Sequence, residues 1–469
     1  MWFMARLAGL VHGSWRQGVE PERAGTTGRA WSRRCVACLV GEREAGPRAL
    51  GAQVFPGCPV PGGGKSDGCA SFEHRPWHGP ADIQEEPMPR HPAYAPSVSG
   101  MSSSLYSGLA ERLSSRSGEV YPLHVGDTWM EPPEGCRMED FRVAEHPGMH
   151  RYAPVQGLPG LVDAVVERVR ARTGVPTERS QVLITTGATG ALGAIIGGLV
   201  APGEEVLILA PYWPLISGIV TAFHGRPVPV PFLDCDGPEA LVEAVRERLT
   251  ERSVALYLNT PNNPSGRVLP RSWVEALAEL ARREGLWLLS DEVYEDYVYA
   301  GEHTYARALA PERTLSSYSF SKGYGMAGNR CGYVVGPAEA VAQLRKVSTH
   351  SFYSAPTAAQ LAGERVLRGP GEAWVAMASA QYRDTGTKAA ARLGIPPPEG
   401  STFLFLDVSA HLDEQGLPGL LERCVEHNLL VSPGPSFGPF PHHIRLCFTC
   451  SPPDVVLRGV EVLARVLGR

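Results

Sequence analysis

The chain has 469 residues, 43% of them hydrophobic, which is enough for two packed domains with sizeable cores. Its net charge of -5 gives no broad basic field, so we expect no nucleic-acid partner. The longest strongly apolar stretch, at 190–201, is too short and too rich in glycine to span a bilayer, so we expect no membrane partner. No export signal is visible. Ten scattered cysteines are typical of a reduced, cytoplasmic protein.

Residues 1–100 differ in composition from the rest of the chain. They contain 26 Gly plus Pro and show neither strand nor helix periodicity, which indicates a low-order N-terminal extension. We favour the hypothesis that Met101 is the native start. Cys35 and Cys38 form a CxxC pair that could belong to a zinc site, but the cysteines that follow lack a matching spacing.

From residue 101 onward, short apolar runs alternate with helical segments. This alternation predicts an α/β fold with a mostly parallel sheet covered by helices on both faces. We predict seven strands, at 182–185, 205–209, 227–230, 254–258, 286–290, 314–320 and 331–335. We predict helices at 158–173, 188–200, 237–251, 271–284, 337–346, 356–368, 371–393, 416–428 and 453–467, and one further strand at 402–408.

The pattern also predicts a division into domains. Residues 101–150 are expected to form an N-terminal arm and part of a small domain. Residues 151–344 contain all seven strands of the predicted sheet and form a large domain. Residues 345–469 are mainly helical and form a smaller α+β domain at the C-terminus.

Polar segments follow four of the predicted strands directly. They are TTGATGALGA at 185–194, NTPNNPSG at 259–266, DEVYEDY at 291–297 and SKGYGMAGNRCGY at 321–333. The first is a glycine-rich turn entering a helix, whose N–H groups at 187–189 could bind a phosphate. Each segment alone could be an ordinary turn or helix start, but ligands bind at the carboxyl ends of such strands. Together the four segments predict one ligand site.

Lysine usage singles out one residue of these segments. Only four of the 44 Lys plus Arg residues are lysines, so the chain takes its positive charge almost entirely from arginine. A guanidinium cannot condense with an aldehyde, whereas a primary amine can. Lys322, at the end of a predicted strand, is therefore a candidate for imine chemistry.

The segments TPNNPSG, SDEVY and SFSKGYGMAGNRCGY together resemble the class I and II aminotransferases, which are pyridoxal-phosphate enzymes of fold type I. The resemblance extends over residues 101–469. It implies an enzyme that moves an amino group between an L-amino acid and a 2-oxo acid in a ping-pong reaction. It implies pyridoxal 5'-phosphate as the cofactor, bound to Lys322 as an imine within the large domain, and no metal ion.

The resemblance assigns roles around the cofactor ring and its phosphate. Asp291 would pair with the ring nitrogen, and Tyr294 and Asn263 would hydrogen-bond the phenolic oxygen. Trp213, in PYWP, would stack on the ring. The residues that would hold the phosphate are Ala188, Thr189, Ser319 and Arg330. Tyr152, in HRYAPVQG, would reach the phosphate of a neighbouring subunit, which implies a homodimer with shared active sites.

The resemblance also assigns the substrate side of the site. Arg445, in IRLCF, would bind the substrate α-carboxylate, with Asn263 beside it, and Gly126 would leave room for that carboxylate. The alternative for Arg445 is a surface position on a strand. His350 occupies the place of an arginine that, in dicarboxylate-specific members, comes from the neighbouring subunit and binds the side-chain carboxylate of the substrate, so we expect neutral or aromatic amino donors.

Two other functions are compatible with parts of this pattern. A lyase or cyclase on the same scaffold would begin with the same removal of the α-proton, and its product would distinguish it. A non-catalytic regulator would need a DNA-binding domain within residues 1–100, where the glycine and proline content argues against a compact winged helix.

Overall fold

The computed structural model describes residues 94–99, 101 and 117–469. The extension, the Met101 start, the zinc site and the DNA-binding alternative therefore fall almost entirely outside the described residues. Between residues 94 and 99 the chain forms one short helical turn, Pro96–Ser99. Within the described part of the chain, no helix has both the length and the apolar character needed to cross a bilayer.

A seven-stranded sheet forms the centre of the structure. Its strands are β1 Val182–Thr185, β2 Glu205–Ala210, β3 Arg226–Pro231, β4 Ser253–Asn259, β5 Trp287–Asp291, β6 Thr314–Ser319 and β7 Gly332–Val335. Their order is β1-β7-β6-β5-β4-β2-β3, and only β7 runs antiparallel to its neighbours. The prediction of a mostly parallel seven-stranded sheet is confirmed.

The sequence of each strand fits its place in the sheet. In β2 every residue is buried, and successive side chains contact different cores: Leu207 packs on one face and Ile208 on the other. Burial on both faces explains why the strands read as continuous apolar runs. Strand β3, with the sequence RPVPVP, lies at the edge, where proline removes no hydrogen bond that a further strand would need.

The helices largely follow the prediction. They are α1 Pro159–Thr173, α2 Gly187–Leu199, α3 Pro214–Ala222, α4 Pro238–Arg246, α5 Arg271–Arg283, α6 Ala306–Leu309, α7 Phe320–Gly323, α8 Ala338–Ser351, α9 Thr357–Arg368, α10 Gly371–Leu393, α11 Gly416–Glu426 and α12 Pro453–Val466. The large cores on the two faces of the sheet include residues of α2, α3 and α8 on one side and of α4 and α5 on the other.

Two predicted helices need correction, and one helix was missed. The helix predicted at 237–251 ends at Arg246, because the Thr250 hydroxyl donates to Glu205 at 2.6 Å and the chain turns there to begin β4. The helix predicted at 337–346 continues to Ser351. Helix α3 was not predicted, since its β-branched and glycine residues give no clear helical period, although Pro214 suits a first helical position.

A second, three-stranded sheet lies among the C-terminal elements. Its strands are β8 Phe403–Asp407, β9 Ser432–Pro433 and β10 His443–Cys447, in the order β8-β10-β9. Strand β10 was not predicted. Residues from α10, α11 and α12 pack with this sheet in one hydrophobic core. The earlier segment around Leu123 also joins it, because the Leu123 carbonyl accepts the Cys447 N–H at 2.7 Å. The domain boundaries themselves stay a prediction.

Candidate active site

A cavity of about 440 Å³ lies at the carboxyl ends of β4, β5 and β6. It is lined by all of the predicted site residues except Tyr152, namely Gly126, Ala188, Thr189, Trp213, Asn263, Asp291, Tyr294, Ser319, Lys322, Arg330 and Arg445. Parallel strands bring their carboxyl ends to one edge, so segments far apart in the sequence meet there.

Asp291 forms the floor of the cavity as the last residue of β5. It is 4% exposed, and its two carboxylate oxygens accept hydrogen bonds from the Tyr257 hydroxyl at 2.7 Å and the Ser317 hydroxyl at 3.3 Å. Burial raises the pKa of the Asp291 carboxyl to about 6, although these donors act in the opposite direction. A buried carboxylate whose partners are neutral is electrostatically suited to a cationic ligand.

Two residues that support the site were not predicted. Tyr257 lies in the apolar run of β4, and its buried hydroxyl needs a partner, which is the only sequence signal for its contact with Asp291. Asn259, at the end of the same strand, donates to the Asp291 carbonyl at 2.8 Å and accepts the Asn263 N–H at 2.7 Å. Asn259 therefore fixes the NTPNNPSG loop relative to β5.

Lys322 lies in the short helix α7, directly after β6. Its side chain is 13% exposed, and its amine donates to the Gly126 carbonyl and lies 3.4 Å from an Asp127 carboxylate oxygen. The Tyr297 hydroxyl donates to the Lys322 carbonyl at 2.7 Å, and this hydrogen bond fixes the backbone of Lys322. The amine is thus held against the backbone of Gly126, which also lines the cavity.

One end of the cavity combines a helix N-terminus with a guanidinium. Helix α2 begins at Gly187, whose φ of +71° favours glycine, and a Cβ there would come within 2.9 Å of an Arg330 nitrogen. Arg330 itself has a left-handed backbone and donates to the Ala327 carbonyl at 2.9 Å. Ala188 and Thr189 follow in the first turn of α2. This end has the features of an anion site.

Arg445 lies at the opposite end of the cavity, on β10. It is 5% exposed, so the alternative of a surface arginine is wrong. Its guanidinium donates to Asn263 Oδ1 at 3.0 Å and to the His124 carbonyl at 2.7 Å, and it lies over the Phe403 ring at 4.3 Å. A Cβ on Gly126 would approach that ring at 3.1 Å, so glycine preserves the space beside the guanidinium.

Tyr294 and Trp213 complete the walls between these two ends. Tyr294 is 4% exposed, burial raises its pKa, and its ring meets Phe403 edge-on at 5.7 Å. Trp213 is the residue before α3, and Pro214 and Leu215 beside it give this wall an apolar surface. His124 also lines the cavity. Its pKa is lowered to about 4, mainly by burial and to a smaller extent by the positive charge of Arg445.

The loop after β5 is fixed by buried charges. Arg168, on α1, lies 3.0 Å from Glu295 and 2.9 Å from Asp296, and Arg172 lies 2.7 Å from Asp296. These side chains are 6 to 27% exposed. These ion pairs attach the loop after β5, which includes Tyr294, to helix α1.

Two residues singled out in the sequence lie outside the cavity. Tyr152 is 89% exposed and packs against Tyr353, with ring centroids 5.1 Å apart. His350 lies in the last turn of α8 and is exposed. Neither contributes to the cavity of its own chain.

Known proteins with similar sequences belong to one family. The family model for "Aminotransferase class I and II" matches residues 122–463. An aspartate/prephenate aminotransferase of Thermus thermophilus is 34% identical over 75% of this chain and 92% of the relative. An arginine–pyruvate transaminase of Pseudomonas aeruginosa is 36% identical over 70% of this chain and 85% of its own.

Solved structures lead to the same family. A mutant aspartate aminotransferase of Thermus thermophilus has a TM-score of 0.73 at 32% identity, and the match covers 80% of this chain and all of that one. An N-succinyldiaminopimelate aminotransferase of Mycobacterium tuberculosis has the same TM-score at 26% identity. The chain belongs to the class I and II aminotransferase family, with the fold of type I. It is a pyridoxal-phosphate-dependent aminotransferase.

Proposed function

We propose that the cavity binds pyridoxal phosphate on Lys322 and exchanges an amino group between a neutral or aromatic L-amino acid and a 2-oxo acid. The observation that carries this proposal is the arrangement of Lys322, buried Asp291 and Arg445 around one cavity of about 440 Å³. When bound, the cofactor supplies an electron-accepting ring, to which the electrons of the substrate Cα–H bond can pass.

Three features of the cavity fit this cofactor. The buried carboxylate of Asp291 suits a protonated ring nitrogen, which would in turn keep that carboxylate ionised. The first turn of α2, with Ala188 and Thr189, suits a phosphate together with Arg330. Ser319 lines the same region and adds a hydroxyl. Tyr294 and Asn263 would hydrogen-bond the phenolic oxygen, and Trp213 would cover the ring face.

Individual residues of the cavity have separate roles in the reaction. Arg445 and Asn263 bind the substrate carboxylate, with Gly126 leaving the room for it, and so orient the Cα–H bond. Lys322 Nζ would take the proton from Cα and would then donate it to the former aldehyde carbon of the cofactor, so that it does not return to Cα. A positioned base of this kind typically contributes about 10²–10⁴-fold. Asp291 would balance the positive charge of the protonated ring nitrogen at the base of the cavity.

The choice of a neutral or aromatic donor rests on the cavity walls. Val125, Pro214 and Leu215 add apolar surface to the lining of the cavity. His350 stands where some members carry an arginine that reaches the side-chain carboxylate in the neighbouring subunit's site, and an imidazole is a weaker partner for a carboxylate than a guanidinium. The named relatives act on different substrates, among them aspartate, prephenate and arginine. An aspartate preference of more than about 100-fold in kcat/KM would contradict this part of the proposal.

A homodimer and a cytoplasmic location belong to the same proposal. Exposure of Tyr152, at 89%, suits a side chain that reaches the phosphate site of a second subunit.

The cysteines fit a cytoplasmic location, because those described are free thiols, namely Cys136, Cys235, Cys331, Cys424, Cys447 and Cys450.

The experiment is a single turnover without an acceptor. Holoenzyme mixed with an excess of phenylalanine or methionine should lose its visible absorbance and release one 2-oxo acid per bound cofactor. Lys322→Ala should release none. Release of ammonia while the absorbance persists would show a lyase instead, and absence of any product from every common amino acid would support a non-catalytic protein.

A further inference from the structure

Asp127 is the charged residue closest to the amine of Lys322. Its carboxylate oxygen lies 3.4 Å from Nζ, and within residues 117–469 it is the only carboxylate in ion-pair contact with that nitrogen. The Lys322 side chain is 13% exposed and that of Asp127 is 42% exposed. The pair therefore lies at the border between the cavity and solvent, with the lysine on the inner side.

The backbone holds the Asp127 carboxylate in this place. The Asp127 carbonyl accepts the Thr449 hydroxyl at 2.7 Å and the Cys447 thiol at 3.5 Å, so the end of β10 fixes the residue. Its side chain is also oriented, because Oδ1 accepts the Thr128 N–H at 2.9 Å. Such backbone anchoring makes the position of the carboxylate a property of the fold.

The other charged or titratable side chains around the cavity have other partners. Asp291 is bonded to Tyr257, and Arg445 is bonded to Asn263 and to the His124 carbonyl. Arg330 contacts backbone carbonyls at the far end. Tyr294 and His124 line the walls, and burial disfavours the charged form of both side chains. None of these groups bonds the Lys322 amine in the described residues, where only Gly126 and Asp127 do so.

We propose that Asp127 is a positioning residue that pairs with the protonated amine of Lys322 during amino transfer. The inference rests on the proposed function of Lys322 as the base. When Nζ takes the proton from substrate Cα, it becomes an ammonium, and an adjacent carboxylate favours that charged form. The proton later returns from Nζ to the reacting molecule. Asp127 takes no part in the proton transfer itself and only accepts a hydrogen bond from the amine.

The test compares Asp127→Asn with wild-type holoenzyme. The enzyme is first treated with an amino donor, which frees the Lys322 amine, and is then acetylated with acetic anhydride across a pH series. Because the chain has four lysines, mass spectrometry can follow each one. At a fixed pH, Lys322 should be acetylated several-fold faster in Asp127→Asn than in wild type, because the neutral amide no longer pairs with the ammonium. Asp127→Glu should restore most of that difference.

The chain offers a matched control in a second lysine–aspartate pair. Lys388 lies 2.7 Å from Asp384, and both side chains are 59% exposed. Asp384→Asn should leave the acetylation rate of Lys322 unchanged. With an α-deuterated donor, Asp127→Asn should also show a larger kinetic isotope effect than wild type, because proton removal becomes slower.

The outcomes separate the two proposals. If Lys322 of wild-type holoenzyme is acetylated equally with and without the donor, the proposed function of Lys322 fails. If wild-type Lys322 is protected until the donor is added but Asp127→Asn has the wild-type acetylation rate and isotope effect, the role of Asp127 is overturned and the proposed function stands.

Discussion

The chemistry of the site depends on the environment of single residues. Asp291 is an ordinary carboxylate in the sequence, but burial raises its pKa to about 6, and Tyr257 and Ser317 donate to it. Sequence motifs indicated Asp291 and Lys322 because they stand at strand ends. Tyr257 and Asp127 lie outside those motifs, and only the packing of distant segments shows their contacts.

Tyr257→Phe tests the contact with Asp291. The Tyr257 hydroxyl stabilises the ionised carboxylate, so its loss should raise the pKa of Asp291. Cofactor affinity requires the ionised form and should fall as pH decreases through that pKa. The midpoint of this fall, measured by titrating cofactor-free protein with pyridoxal phosphate, should therefore move to higher pH in the variant, by about one to two units. Identical midpoints for variant and wild type would contradict this role.

At the scale of elements, the alternation of apolar runs and helices was sufficient to predict the main sheet. The seven predicted strands all form, because buried parallel strands have a distinctive apolar composition. Strand β10 was missed, since its sequence HIRLC contains a buried arginine that reads as a surface residue. Helix α3 was missed because its residues favour strands. Arg445 lies within β10, and Trp213 directly precedes α3. The prediction that both residues belong to the site therefore came from the family resemblance alone.

Arg168→Ala tests the attachment of the β5 loop to α1. Removing this guanidinium leaves Glu295 and Asp296 buried with one fewer cation, which should destabilise the fold by about 3–5 kcal/mol. Arg271→Ala is the control, because its pair with Glu275 is exposed, at 70% and 47%, and should contribute at most about 0.5 kcal/mol. Urea denaturation measures both losses. Equal effects of the two substitutions would show that the network does not hold the loop.

At the scale of the whole molecule, the site of one chain lacks one predicted contributor. Tyr152 lies outside the cavity and is 89% exposed, next to Tyr353, which is 40% exposed. Exposed aromatic side chains grouped in this way are typical of interaction surfaces. The resemblance predicts that Tyr152 reaches the site of a second subunit, a role that neither periodicity nor composition could have suggested.

Tyr152→Phe tests the shared site without removing the aromatic ring. Wild type should sediment as a dimer, and the variant should remain a dimer because the ring still packs. The lost hydroxyl should weaken cofactor binding by about 10-fold, the effect of one hydrogen bond to a charged group. Analytical ultracentrifugation and cofactor titration give the two readings. A monomeric wild type, or an unchanged affinity, would contradict the assignment.

The central claim is that Lys322 carries the cofactor. Borohydride reduction of the holoenzyme makes an imine bond permanent, and peptide mapping then locates the bound pyridoxyl group among the four lysines of the chain. We expect the group on Lys322, and prior addition of an amino donor should prevent its attachment. A colourless protein, or a pyridoxyl group found on Lys346 or Lys388 instead, would contradict it.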